Sequence, residues 1–140
     1  MSKLKKLFQT SIFKTLRFNV HYFGFKSIIK PYVLIARGVQ FKCLRGSIEL
    51  DNKGIGVIQI GYPSLGTQND SVTKGTINLA GHVIVHDKAY LARGSSLDCG
   101  ENGTLEIGSL VMTGDSKIIC KDNIRIGNEC MISWGVFNGY

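Results

Sequence analysis

The first 46 residues contain no aspartate and no glutamate. Ten lysines and arginines, from Lys3 to Arg45, fall in that stretch, whereas the chain from Ser47 onward carries seven cations against ten acids, a net charge of −3. The overall charge of +7 therefore belongs to an N-terminal segment. Charge so placed does not argue for a nucleic-acid partner of the whole fold, and no recognition motif interleaves with the later cations. Prolines are scarce, two in 140 residues, and no apolar run approaches the roughly 20 residues of a membrane span. The four cysteines, Cys43, Cys99, Cys120 and Cys130, lack C-x-x-C spacing and neighbouring histidine pairs, so no metal site is expected. Lys14 interrupts the only apolar stretch that could serve as the core of a secretory signal. Reduced thiols and a cytoplasmic location follow as expectations.

Glycine is plentiful: seventeen residues imply many tight corners. Two regions are separated by Gly24 and Pro31. In residues 1–30, Leu4, Phe8, Ile12, Leu16 and Val20 recur every four positions, which predicts a basic amphipathic helix over residues 3–23. Its apolar stripe can cap the fold that follows. Its cations can hold the chain peripherally on the anionic inner face of a membrane.

After Pro31 the helical period gives way to one of six. Leu79, Val85, Leu91 and Leu97 form one ladder; Ile77, Val83, Ala89 and Ser95 form a second, two residues ahead. Beyond the loop at Gly100–Gly103 the first ladder resumes at Ile107, Thr113 and Ile119, and the second at Leu105, Val111 and Lys117. A one-residue slip then leads to Ile126 and Ile132, with Ile124, Cys130 and Val136 beside them. The pairs Val33/Ile35, Val39/Phe41, Ile48/Leu50 and Ile58/Ile60 extend the pattern upstream. Inward positions two apart describe a short strand, and a repeat of six adds a corner. Three such units return the chain one strand spacing higher, about 4.8 Å. Residues 31–140 are thus expected to be mainly β, a solenoid of about five coils with an aliphatic interior.

Two of these units, Ile107-Gly108-Ser109-Leu110-Val111-Met112 and Ile126-Gly127-Asn128-Glu129-Cys130-Met131, resemble the hexapeptide repeat of bacterial acyltransferases. With the basic N-terminal helix, the stretch Gly54–Gly61 and the segment Ile126–Trp134, most of the chain is similar to bacterial O-acetyltransferases that modify surface polysaccharides. The resemblance implies a left-handed parallel β-helix, a hand that no sequence period dictates, since parallel crossovers are ordinarily right-handed. It also implies a homotrimer, acetyl-CoA as donor in the cleft between prisms, and a glycan acceptor. A histidine would act as general base and backbone N–H groups would stabilise the oxyanion.

In similar proteins a coil ending like Ile132-Ser133-Trp134 is followed by Asp-Thr-Asp-Phe-His, which carries the base. Here the chain continues Gly135-Val136-Phe137-Asn138-Gly139-Tyr140, so the expected histidine lies beyond Tyr140. One inserted base would turn codons for Met-Asp-Thr-Asp into Asn-Gly-Tyr-stop, and a frameshift truncation, inactive alone, is the expectation. Ser133 and Trp134 are the candidate substrate-binding residues, Trp134 either rimming an acceptor pocket or capping a coil. His86, at a corner and followed by Asp87, is the one candidate base within the repeat. The alternative for it is a solvated surface histidine, as for His82 on an outward position. A non-catalytic β-solenoid, used as a scaffold or binding module, is the competing function.

Overall fold

A computed structural model of the chain describes residues 10–62, 75–112, 116–132 and 137–139. The protein is mainly β, with parallel sheets and one α-helix among the described residues. Leu4, Leu7, Phe8, Thr113, Ser133, Trp134, Val136 and Tyr140 lie outside them, as does the side chain of Ile132.

The helix α1 spans Ile12–Phe23. Ser11 caps it, its hydroxyl accepting from the Lys14 amide at 3.2 Å, so one orphan donor of the first turn is satisfied. Gly24, at φ 82°, ends the helix, a conformation that is cheap only without a Cβ. A 3₁₀ turn, Phe25–Ile28, follows.

The expected inward stripe is not the face that packs. Ile12 and Leu16 are exposed, whereas Thr15, Phe18 and Asn19 are buried. The helix covers the edge of a sheet, which presents unpaired backbone groups and not only apolar area. Asn19 meets that demand by donating from Nδ2 to the Val33 carbonyl at 2.7 Å and accepting on Oδ1 from the Val33 amide at 3.0 Å. Thr15 Oγ1 accepts from the Ile35 amide at 3.1 Å, and the Ser11 amide donates to the Ile35 carbonyl at 2.8 Å.

The strands are β1 (Val33–Ile35), β2 (Gln40–Leu44), β3 (Ser47–Leu50), β4 (Ile58–Tyr62), β5 (Thr76–Leu79), β6 (His82–Ala92), β7 (Ser96–Cys99), β8 (Thr104–Met112), β9 (Lys117–Cys120), β10 (Asn123–Ile126), β11 (Cys130–Ile132) and β12 (Phe137–Gly139). Their pairings are all parallel and fall into three series. The first joins β3, the front half of β6, the front half of β8 and β10. The second joins β1, β4, the rear halves of β6 and β8, and β11. The third joins β2, β5, β7, β9 and β12. The chain visits the three in strict rotation.

Inward pairs stack in each series. Val83/Val85 lie against Leu105/Ile107, and these against Ile124/Ile126. Ala89/Leu91 lie against Leu110/Met112. All ten are buried in one apolar cluster, which Phe18 of α1 joins from the end. The residual void among Phe18, Ile60, Leu79, Val85 and Leu91 is about 20 Å³, and its apolar lining offers a water no partner.

Two parts of the expected register are corrected. Leu97 pairs with Ile77 and not with the ladder of Leu79, whose partner is Cys99. The return from Ile77 to Leu97 takes twenty residues where three hexads would take eighteen, because the turn at Arg93–Ser95 is longer than a hexad corner. The second correction concerns Val111, Lys117 and Ile119, expected inside. Ile118 and Cys120 are buried, while Lys117 is exposed and Ile119 and Val111 are half-exposed. Two residues, His86 and Asp87, separate Val85 from Lys88, but only Gly108 separates the paired Ile107 and Ser109. The single slip that the sequence placed after Ile119 is therefore two: the step from Met112 to Cys120 takes eight residues where a hexad takes six, and one residue is lost at Gly108. A Cβ there would lie 2.4 Å from Asn128 Oδ1 and 2.9 Å from the Gly127 carbonyl, so only glycine fits this short corner.

Candidate functional site

In a parallel stack, outward side chains at one register position stand in columns, and adjacent like charges repel. At the corner after Val85 two columns meet and alternate in sign: Asp51 and His86 follow the paired Leu50 and Val85, and Glu106 and Arg125 stand in the column of Ile84. One ring nitrogen of His86, Nδ1, meets the Asp51 carboxylate, and the other, Nε2, lies 2.6 Å from Glu106 Oε2. The second oxygen of Glu106 accepts from Arg125 Nε at 3.0 Å. The hydrogen bond to Glu106, and next that to Asp51, hold the His86 imidazole above its ordinary range. The bond from His86, with Arg125 adding to it, holds Glu106 below the usual carboxylate range.

This geometry limits what His86 can do. An ionised carboxylate only accepts, so each ring nitrogen must donate, and an imidazole donating from both is the imidazolium. A general base needs a nitrogen free to take a proton. Asp87, the neighbour expected to orient the ring, instead accepts a long contact from Asn52 Nδ2, at 3.5 Å. His82, in the adjacent column, has Nδ1 against the Ser47 hydroxyl and Nε2 3.5 Å from Glu49.

An apolar recess lies elsewhere, on the outer surface of the second series. Gln59, Tyr90, Val111 and Met131 occupy one register column there. With Lys88 at the rim they line a groove of about 400 Å³, within the range of small-molecule sites. The outward apolar residues sit between inward ones, Tyr90 between Ala89 and Leu91 and Val111 between Leu110 and Met112. That strands of β6 and β8 are apolar on both sides was legible in the sequence as uninterrupted apolar triplets. The period-six reading assigned Val111 to the interior and passed over Tyr90 and Met131. A second recess, of about 460 Å³, opens beside β3 between Phe23, Tyr32, Glu49, Asp51 and Lys53.

Cys99 and Cys120 are neighbours in register inside the fold, and all four cysteines are free. Burial, with the Cys120 thiol adding to it, pushes the Cys99 thiol up to about 11, so it is not a thiolate nucleophile at neutral pH. Among the described residues no group of three His, Cys, Asp or Glu is placed to hold a metal ion, and no helix is long and apolar enough to cross a membrane. Ser133 and Trp134, the expected substrate-binding pair, lie outside the described residues, so the structure does not relate them to the groove. No family model, curated protein or solved structure matches the chain.

Proposed function

We propose that the three strand series are the faces of a left-handed parallel β-helix, and that this chain is the coil portion of an acetyl-CoA-dependent O-acyltransferase acting on a cell-surface glycan or its precursor. The observation that carries the reading is the strict rotation of parallel pairings, with aliphatic pairs stacked in register. The hand comes from the resemblance of the repeats. The groove of Tyr90, Val111 and Met131 suits the narrow, largely apolar arm of the donor, and Lys88 at its rim suits a phosphate. In a homotrimer a neighbouring copy would close the open side of this groove.

Transfer by this chain alone is not expected, because both nitrogens of His86 are engaged by carboxylates. That same observation favours the second reading, a non-catalytic β-solenoid that serves as scaffold or binding module. Calorimetric titration with acetyl-CoA separates the two. The first reading expects saturable binding, weakened about tenfold by Lys88→Glu, the loss of roughly one charge-assisted contact. It also expects no release of free thiol. Absence of binding at millimolar acetyl-CoA would leave only the scaffold.

A further inference from the structure

Eight large hydrophobic side chains are exposed among the described residues, and six of them fall between Ile12 and Ile29. Scattered exposed leucines or isoleucines need no explanation, but a concentration in one segment does. On α1, Ile12 is 65% and Phe13 76% exposed, with Leu16 beside them. Across Gly24, Phe25 is 80% and Ile29 90% exposed, with Ile28 between.

These residues are not waiting for the body of the protein. The opposite face of α1 is already docked: Thr15 and Asn19 bond to β1 and Phe18 fills the end of the core. The 3₁₀ turn points Ser27 inward, fully buried, and its hydroxyl donates to the Gly24 carbonyl at the start of the same turn at 2.6 Å. The outward residues thus stand on a fixed platform, and holding them in water has no evident structural return.

Charge narrows the partner. Lys26 and Lys30 are exposed and flank Phe25, Ile28 and Ile29 directly. Arg37, Lys42 and Arg45 are exposed further along, and no acid occurs before Glu49. Lys14 reaches the carbonyls of Arg37 and Val39, and the exposed Arg17 stands 5.8 Å over the Phe41 ring, so these two cations are held on the body of the fold and add to the positive charge of the segment. A polyanion such as nucleic acid would engage the lysines but leave Phe13, Phe25 and Ile29 in water. An anionic bilayer takes both groups, aromatic and aliphatic side chains among the acyl chains and ammonium groups among the phosphates. At twelve residues, α1 is about 18 Å long, too short to span a bilayer and suited to lie in its surface.

We infer that Ile12, Phe13, Leu16, Phe25, Ile28 and Ile29, with Lys26 and Lys30, form a docking surface for an anionic lipid bilayer. The inference does not depend on the acyl-transfer reading. It replaces the stripe of the period-four reading with the residues that the fold leaves outward.

The test is vesicle sedimentation of the full chain, with vesicles of phosphatidylcholine alone or mixed with phosphatidylglycerol, and a short DNA duplex as a second polyanion. Three proteins are compared: the natural chain, Phe13→Ser/Phe25→Ser/Ile29→Ser, and Lys26→Glu/Lys30→Glu. All five positions are exposed, and unchanged thermal unfolding would establish that the variants fold. The natural chain is expected to bind the phosphatidylglycerol vesicles and to lose affinity as salt is raised. The lysine variant should bind those vesicles more weakly, by about fivefold for each cation removed. The serine variant should lose vesicle binding by at least about tenfold while its weak affinity for DNA is unchanged. Vesicle binding that survives the serine substitutions, equal affinity for the neutral vesicles, or tighter binding to DNA than to phosphatidylglycerol would each overturn the inference.

Discussion

Asn19 offers the sharpest test of how the open end of this fold is closed. Its side chain is fully buried and makes three hydrogen bonds: Nδ2 to the carbonyls of Val33 and Thr15, each at 2.7 Å, and Oδ1 from the Val33 amide at 3.0 Å. In effect it stands where a further strand would. Asn19→Ala removes both partners of Val33, itself fully buried, and leaves one N–H and one C=O unpaired. Each such group costs about 1–3 kcal/mol, so the pair should cost about 2–6 kcal/mol, against a typical total stability of about 5–15 kcal/mol. With a urea dependence of about 1–3 kcal/mol per molar, the unfolding midpoint should fall by about 2 M. Hydrogen exchange localises the effect. The Val33 amide should lose protection in the variant, while the amides of Val83 and Val85, deep in β6, should change only with global stability. Asn19→Asp should be worse, since it sets a buried carboxylate against two carbonyl oxygens. Ile12→Ala on the outward face is the control, expected within about 0.5 kcal/mol of the natural chain. If Asn19→Ala unfolds within that same margin, or the Val33 amide keeps its protection, the side chain is not closing the edge.

The column at His86 predicts a pH profile. His86 is raised, so its contribution is complete below the ordinary imidazole value of 6.5 and declines as pH rises through the raised value. Glu106 is lowered, so its contribution is complete above the ordinary 4.5 and declines as pH falls through the lowered value. The melting temperature of His86→Gln should therefore lack the alkaline decline, and an equally steep decline in the variant would rule out His86 as its source. Phe18→Ala should cost about 3–5 kcal/mol by chemical denaturation, because it empties the end of the aliphatic interior; a cost under about 1 kcal/mol would mean that the helix end of the core is loosely packed. Val85→Asp, which buries a carboxylate among aliphatic neighbours, should cost several kcal/mol, and a variant that still unfolds cooperatively near the natural midpoint would refute the inward placement of β6. Cys99 and Cys120 should react with a thiol reagent far more slowly in the native chain than in urea, equal rates being the contrary result.

The period of six was enough to place Val83, Val85, Ala89, Leu91, Leu105, Ile107, Ile124 and Ile126 inside, because strand alternation writes burial directly into spacing. Glycine abundance likewise announced the corners. Spacing alone could not say how many residues each corner holds. A period counts residues along the chain, whereas register is fixed by which backbone groups face one another across it. Thus Gly108, one residue opposite the two of His86 and Asp87, turned Val111 outward, and a step of eight residues from Met112 to Cys120, in place of six, put Ile118 and Cys120 inside instead of Ile119. The same distinction governs the candidate sites. Asp51, His86, Glu106 and Arg125 are far apart in sequence and meet only because β6 and β8 stack in register and Asp51 follows their neighbour β3. In the N-terminal segment the sequence determined that a helix forms and that its surroundings are basic. Which face it buries was decided by the edge of β1, where unpaired amides and carbonyls favoured Thr15 and Asn19 over Ile12 and Leu16. Apolar periodicity measures a helix against water. The tertiary structure set it against a strand edge, and hydrogen bonding settled the orientation.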